Sequence, residues 1–544
     1  MKNNFTALSL LILTLAACQP KPEGGIETTK EYTVAPFTGL DSIAINDWWN
    51  RKPNHIIDVK VARDSVIAFG AYTVANNTLK LTAQLFPLYP DEPKFVLLDI
   101  KEGGEWKEIQ RQPVHELGWS AHFRVENWNK TENMAYRLRH GEAATFEGTI
   151  RKLPVDKQEI VIAALSCNSN KGPKDRDTYV KNINALDPDV VFFAGDQSYH
   201  HREHTAAWLL FGRQFRETFR HRPMIAIPDD HDIGQGNLWG EGGKQATSMA
   251  GNDGGYFFHP EYVKMVERCQ TAHLPDPVDP DPVLQGIGVY FTSYQLGPVD
   301  FAIIEDRKFK SGPKGKIPQQ GPRPDHIINP DYDPASVDVP GLKLLGDRQL
   351  NFLDSWADEN KEGVIMKAVL SQTGFCGGAH VHGDSTNRLH ADMDSNGWPQ
   401  TGRKRALEKI KKANAVHIAG DQHLATVIKH GIEAHGDGPW AFVVPAIVNN
   451  YYSRWWWPKD EKPGSGAAID NDLPWTGNYL DGFDNKITMH AYVNPGSQDF
   501  GAGFGLIRFN TAAREVTFEC WPGTADVTSP DAGQFTGWPI TVKP

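Results

Sequence analysis

Four runs of this sequence place metal-binding residue types directly behind apolar stretches. Residues 160–165 lead into Ser166-Cys167-Asn168, and residues 190–194 into Gly195-Asp196-Gln197-Ser198-Tyr199. Residues 224–227 precede Asp229-Asp230-His231-Asp232, and residues 416–419 precede Gly420-Asp421-Gln422-His423. In layered α/β folds, ligands and catalytic groups collect at the carboxyl ends of the strands. Carboxylates, imidazoles, a thiol and a phenol gathered there need counter-charge, and a metal ion is the usual partner. The chemistry these residues point to is metal-assisted hydrolysis, which requires cations held by fixed ligands beside an open substrate position.

The elements that position these groups follow from the surrounding pattern. The four apolar runs read as strands buried on both faces. Between them lie helical stretches, one with Tyr179, Ile183 and Leu186 on one face, one over 206–220, and one marked by Leu407 and Ile410. A further apolar run, Phe442-Val443-Val444, follows, and residues 288–294 and 299–305 read as a hairpin. The sheet is therefore mixed, in an α/β layered domain. From 36 to 153 the rhythm differs: strand-like segments recur about every ten residues, as in an all-β sandwich. Residues 235–285 and 308–340, rich in Gly, Pro and Asp, read as irregular loops near the site. The expected organisation is a signal peptide over 1–18, a tether over 19–35, a β-sandwich over 36–153 and a catalytic domain over 154–544.

The amino terminus is read as a targeting segment. Lys2 and an apolar run from Leu8 to Leu15 are too short to span a bilayer and have the form of a signal peptide. The run ends in Leu15-Ala16-Ala17-Cys18, which resembles a bacterial lipobox with Cys18 as the lipidated residue. Gln19 follows where an Asp would favour inner-membrane retention, so outer-membrane anchoring is expected. The 544-residue chain carries a formal net charge of −11. That balance argues against nucleic acid as the main partner, since phosphate backbones require a basic footprint. Cys167, Cys269, Cys376 and Cys520 are too few for a disulfide scaffold, and a Cys269–Cys520 bridge is left open.

With these blocks in this order, the chain resembles the metallophosphatase superfamily, and within it the alkaline phosphatase D, or PhoD-like, family. The superfamily pattern runs D-x-H, G-D-x-x-D, G-N-H-D/E and G-H-x-H. Here Cys167 stands in the first block, Tyr199 replaces an Asp, Asp230 takes the Asn position and Asp421 the first His position. Asp306-Arg307 resembles a D-T-R segment without its Thr, and Gly346-Asp347-Arg348-Gln349 resembles a G-x-x-Q segment. The resemblance implies a metallophosphatase-type layered mixed-sheet domain behind a β-sandwich. It implies that Cys167, Tyr199 and His423 hold one metal, that Asp230 and Asp421 hold a second, and that Asp196 bridges them. Anionic S and O donors with one imidazole suit Fe³⁺, whereas an all-oxygen set suits Ca²⁺, with Mg, Mn or Zn as alternatives. His231 is expected to act on the substrate without binding metal, and Arg307 to neutralise a substrate oxygen. Asn168 and Asn237 are expected at the substrate, and Asn237 could also lend an oxygen to the second metal.

Other residues receive plainer readings. Asp232 is expected to cap a turn, His200, His201 and His204 to be solvated loop residues, and Cys376 to pack. The run Tyr451-Tyr452-Ser453-Arg454-Trp455-Trp456-Trp457 could form a stacking platform or pack an edge. The function expected is a secreted, lipid-anchored hydrolase of phosphoric mono- or diesters acting on a small-molecule or glycan-linked ester. A hydrolase of sulfate groups on an extracellular polysaccharide is the alternative. A non-catalytic surface-binding lipoprotein is a third reading, which the intact ligand set argues against. The sequence leaves the oligomeric state open.

Overall fold

In the computed structural model, the apolar run ahead of Ser166 becomes strand Glu159–Leu165, buried from its second residue onward. The model describes residue 37 and residues 39–544, apart from 173–175, 383–387, 451–453, 459–463, 466–468 and 470. The expected signal peptide, Cys18 and the tether lie outside the described residues, as do Tyr451, Tyr452 and Ser453. Strand Glu159–Leu165 pairs in parallel with Val190–Phe193, which pairs in parallel with Met224–Ala226. Helices Asp177–Leu186 and His204–Phe219 make the crossovers. They pack Ile183, Phe211 and Phe215 onto one face of the sheet. On the other edge, Gly503–Asn510, Glu515–Pro522 and Ile540–Val542 add antiparallel strands, completing a six-stranded mixed sheet.

A second sheet of eight strands lies against the first. At its centre Val299–Ile303, Met366–Thr373, Ala415–Gly420 and Trp440–Val443 run parallel. Ile162, Phe192 and Ile507 from one sheet meet Phe301, Leu370, Ile418 and Phe442 from the other in a continuous apolar layer. Helices Gly346–Asp358 and Gln400–Lys412 cover the outer face with Leu353, Trp356, Leu407 and Ile410. The result is a helix–sheet–sheet–helix stack, the mixed layered architecture expected from the sequence. Parallel strands of both sheets end on the same side. There Ser166 bridges to Ala446, and a Cβ on Gly420 would lie 2.2 Å from the Ser166 hydroxyl. The sheets approach so closely at this point that a glycine is required.

Ahead of this stack lie two antiparallel sheets, of three and four strands, between Ile67 and Ile150. The first hairpin turns at Asn76 and Asn77, both left-handed (φ 49° and 57°), the conformation of a two-residue type I′ turn. The β layer shares one core with the layered stack, Phe69 packing edge-on against Trp208 and Phe219 of helix His204–Phe219.

Several local expectations are corrected. Residues 235–285 are not all loop: Pro260–Thr271 is a helix, with Pro at its start, His259 as cap and Val263, Val266 and Cys269 buried. The hairpin strands are shorter than expected, Thr292–Leu296 and Val299–Ile303. Cys269 and Cys520 are free thiols in two different cores, so no bridge joins them. His204 is a buried residue opening a helix rather than a solvated one. Trp456 is fully buried, Trp457 stacks on Trp475, and none of the three tryptophans of that run lines the cavity described below. Among the described residues, no helix is long and apolar enough to cross a membrane.

Candidate metal centre

At the strand ends of both sheets a cavity of about 570 Å³ opens. Asp196, Tyr199, Asp230, His231, Asp421 and His423 all contribute to its wall. They reach it because the chain turns sharply behind each strand. Cys167, Asp196, Asp421 and His423 all have left-handed backbone, with φ of 57°, 58°, 66° and 51°. Non-glycine residues adopt that conformation at a cost, and such strain concentrates where function demands a particular side-chain direction. Asp230 arrives differently, on the first turn of the short helix Asp230–Ile233. Asp229 and Asp232 cap that helix reciprocally, so Asp232 fills the capping role expected of it.

The ligand-type atoms form three overlapping groups. Cys167, Asp196 and His423 bring one donor atom each to within 4.8 Å of one another. Asp196, Asp229, Asp230 and Asp421 do the same; Asp196 belongs to both of these, and with Asp230 and His231 it forms the third. Tyr199 joins the first group through its hydroxyl, 2.7 Å from the Asp196 carboxylate and 2.9 Å from His423 Nε2. On the far side of the ring, His423 Nδ1 lies 3.2 Å from Asn449 Oδ1, which fixes the imidazole and leaves Nε2 facing the group. Asp421 accepts hydrogen bonds from Thr373 and Gln422. Asp230 Oδ1 is buried with no partner.

The electrostatics are those of a cation site. Burial, then Asp229, Asp232 and Asp421, push the Asp196 carboxyl well above its ordinary range. Burial and then Asp196 do the same to Asp230. The Cys167 thiol is raised by burial and by Asp196 and Asp421, and the Tyr199 phenol by burial and then Asp196 and Cys167. Mutual repulsion among buried anionic groups is relieved when a cation sits between them. The unpartnered Asp230 oxygen, the shared Asp196 and the distinct donor types on either side of it all fit two metal ions. The sulfur, the phenol and the His423 imidazole fall on one side and carboxylate oxygens, with His231 beside them, on the other.

Residues named for substrate contact divide. Asn237 lines the cavity and donates to Asp325. Asn168 is turned away, donating to the Gln197 carbonyl and to Gln214, and it does not line this cavity. Arg307 also lies behind the wall, only 2% exposed. Its Nε donates to Asp229 (2.7 Å), its Nη1 to Asp394 (2.6 Å), and its Nη2 lies 3.1 Å from Asp421. The structure thus places Arg307 as the internal counter-charge to three carboxylates rather than at the substrate. His231 faces the cavity, its ring tilted by 32° against Tyr199 with centroids 4.0 Å apart, and with Nδ1 2.6 Å from His201 Nε2. Burial, then His201 and His423, hold His231 well below the usual imidazole range.

Sequence reasoning missed several wall residues: His201, Arg323, His326, Asp392, Asp394 and Arg454. The alternation of His200 and His201 behind Tyr199 was visible, but only the fold shows that His201 backs His231. Asp325, His326 and Asp392 form a separate group of ligand-type atoms that does not include Asp196. Asp325 is already bonded by Asn237, Asn252 and Arg323, so amide and guanidinium protons occupy it.

Layered sheets thus carry, at their strand ends, carboxylate, imidazole, thiol and phenol groups gathered as in a metal site. Residues 209–454 match the family model of PhoD-like phosphatases, and over that span the chain is a PhoD-like phosphatase domain. The span holds Asp230, His231, Asp421, His423 and Arg307, while Cys167, Asp196 and Tyr199 lie upstream of it. A solved structure of PhoD is similar in fold, with a TM-score of 0.61 at 15% identity, covering 89% of this chain and 91% of that one. A purple acid phosphatase from seeds of yellow lupin (Lupinus luteus) follows, with a TM-score of 0.50 at 12% identity, covering 87% of this chain and 73% of that one. No curated protein matches the chain. The chain is an enzyme of the phosphoric-ester hydrolase class.

Proposed function

We propose that the enzyme hydrolyses phosphoric mono- or diesters at a dinuclear centre in which Cys167, Tyr199 and His423 hold Fe³⁺, Asp230 and Asp421 hold Ca²⁺ or another hard cation, and Asp196 bridges the two. The observation that carries this reading is the membership of Asp196 in both the group of Cys167 and His423 and the group of carboxylates. A bound pair of metal ions supplies Lewis acidity toward the ester oxygens and lowers the pKa of water. The chain's own residues do the rest. Arg307 holds Asp229, Asp394 and Asp421 in place from behind. Asn449 fixes the ring of His423. His201 engages His231 Nδ1, leaving Nε2 directed at the cavity, where it can donate a hydrogen bond to a phosphoryl oxygen or to the oxygen of the departing alcohol.

The lipobox-like Leu15-Ala16-Ala17-Cys18 supports export and anchoring through Cys18 at the outer membrane, with the substrate met outside the cytoplasm. A Cys18→Ala chain should leave the membrane fraction, and retention there would remove that part of the reading. The function is tested by incubating the purified enzyme with a panel of phosphate mono- and diesters and with a sulfated glycan. Release of phosphate or alcohol from the panel is expected. Release of sulfate with the phosphate esters untouched would overturn the reading.

A further inference from the structure

Arg454 stands apart from the other buried arginines. It opens the short strand Arg454–Trp455, is 7% exposed, and lines the same cavity as Asp230, His231 and Asp421. Its nearest carboxylates hold it loosely: Nη2 lies 3.6 Å from Asp392 and 3.8 Å from Asp394. Both Nε and Nη1 are buried without any hydrogen-bond partner, and among the described residues Arg454 is the arginine with two such nitrogens. Compare Arg403, whose three guanidinium nitrogens meet Phe375, Gly431 and His430, or Arg307, saturated by carboxylates. Burying N–H donors without acceptors is costly, so the acceptors are expected to arrive with a ligand. The planar fork of a guanidinium matches two oxygens of a tetrahedral oxyanion. Asp392 and Asp394 face Nη2 from beyond hydrogen-bond distance, so the Nη1/Nη2 edge is left open to a ligand.

We propose that Arg454 is the receptor for the substrate's phosphoryl group, its unpartnered Nη1 donating together with Nη2 to two non-bridging oxygens of an ester held against the ligand cluster. This rests on the phosphoric-ester reading above and deepens it. Arg454 takes the role that the sequence reading gave to Arg307, which the fold commits to structural pairing. In the variants below, desolvated Asp392 and Asp394 retain other partners, Asp394 keeping Arg307.

The test uses metal-loaded full-length parent, Arg454→Lys and Arg454→Gln, with inorganic phosphate titrated calorimetrically and KM and kcat read on p-nitrophenyl phosphate and bis(p-nitrophenyl) phosphate. Arg454→Gln should bind phosphate about 10- to 100-fold more weakly, the scale of one charge-assisted donor pair. Arg454→Lys should fall between, keeping the charge and losing the fork. Metal content should match the parent in both. Phosphate affinity unchanged in both variants overturns the proposal. So does weakening that appears only together with loss of metal, or a parent that does not bind phosphate. A parent that binds phosphate and hydrolyses neither ester would count against the function proposed above, while the Arg454 claim would still be decided by the phosphate titration. If Arg454→Gln fails to fold, Arg454→Lys alone gives the decision.

Discussion

Replacing Arg307 by methionine removes the one cation, among the described residues, that pairs with Asp229, Asp394 and Asp421 together from behind the candidate metal centre. The loss is unevenly shared. Asp394 keeps Arg454 at 3.8 Å, and Asp421 keeps the Thr373 and Gln422 donors. Asp229 loses a two-toothed partner at 2.7 and 3.3 Å and retains only neutral backbone donors, the Asp230 and Asp232 N–H groups. Removing one side of a buried ion pair costs about 3–5 kcal/mol, because the remaining charge is stranded away from water. Arg307→Met should therefore lower the urea midpoint of chelator-treated protein by on the order of 1 M, followed by tryptophan fluorescence. The deficit should depend on pH with a definite sign. Asp229 and Asp421 already have carboxyls raised above the ordinary range by burial, and losing Arg307 raises them further. The folded variant then binds protons that the unfolded chain does not, so its deficit grows as pH rises from 5 to 8 and shrinks as pH falls. If Arg307 instead contacts substrate, stability will change by less than about 1 kcal/mol, the scale of an exposed pair, and KM will rise. That result would refute the assignment.

Three further outcomes follow from the same geometry. His204, His273 and His417 are buried neutral, each pushed down to about 3 by burial. Between roughly pH 3 and 6.5 the unfolded chain binds more protons, so stability falls on acidification by up to about 1.4 kcal/mol per pH unit for each histidine. Urea unfolding at pH 7 and 5 should show a shallower pH dependence in His417→Gln than in the parent, and an identical slope would count against its burial as a neutral ring. His231→Gln should lower kcat on phosphate esters about 10²- to 10⁴-fold with metal content intact; a parallel loss of metal would make His231 a ligand. His201→Phe should preserve metal and lower kcat by a smaller factor than His231→Gln; equal or greater loss would show that His201 itself meets the substrate.

Much of this candidate centre was legible because its ligand-type residues sit immediately behind strands. An apolar run of four to seven residues followed by Asp, Cys or His marks a strand end without knowledge of what lies beside it, and that placed Cys167, Asp196, Asp230, Asp421 and His423. What the sequence could not show is which groups meet across the gap. Arg307 and Arg454 look interchangeable in one dimension. Only packing reveals that residues 229, 394 and 421 converge on the first, while the second keeps two free donors. His201 was read as solvated because nothing local to it points to His231, thirty positions on. The helix Pro260–Thr271 was hidden by Gly and Pro around it, although His259-Pro260-Glu261 and the spacing of Val263, Val266 and Gln270 carried its start signal and its buried face. The Trp455-Trp456-Trp457 run misled by composition: aromatic runs look like platforms, and here the middle ring fills a core beside Tyr479 and Met489.

The central claim is a pair of cations sharing Asp196. Metal analysis of anaerobically purified parent and Asp196→Asn protein tests it most directly. The account predicts two metal ions per parent chain, one of them iron, and loss of both in Asp196→Asn, whose neutral amide can still accept from Tyr199 and so preserve the fold. A parent without iron, or an Asp196→Asn chain that retains both ions, would contradict it.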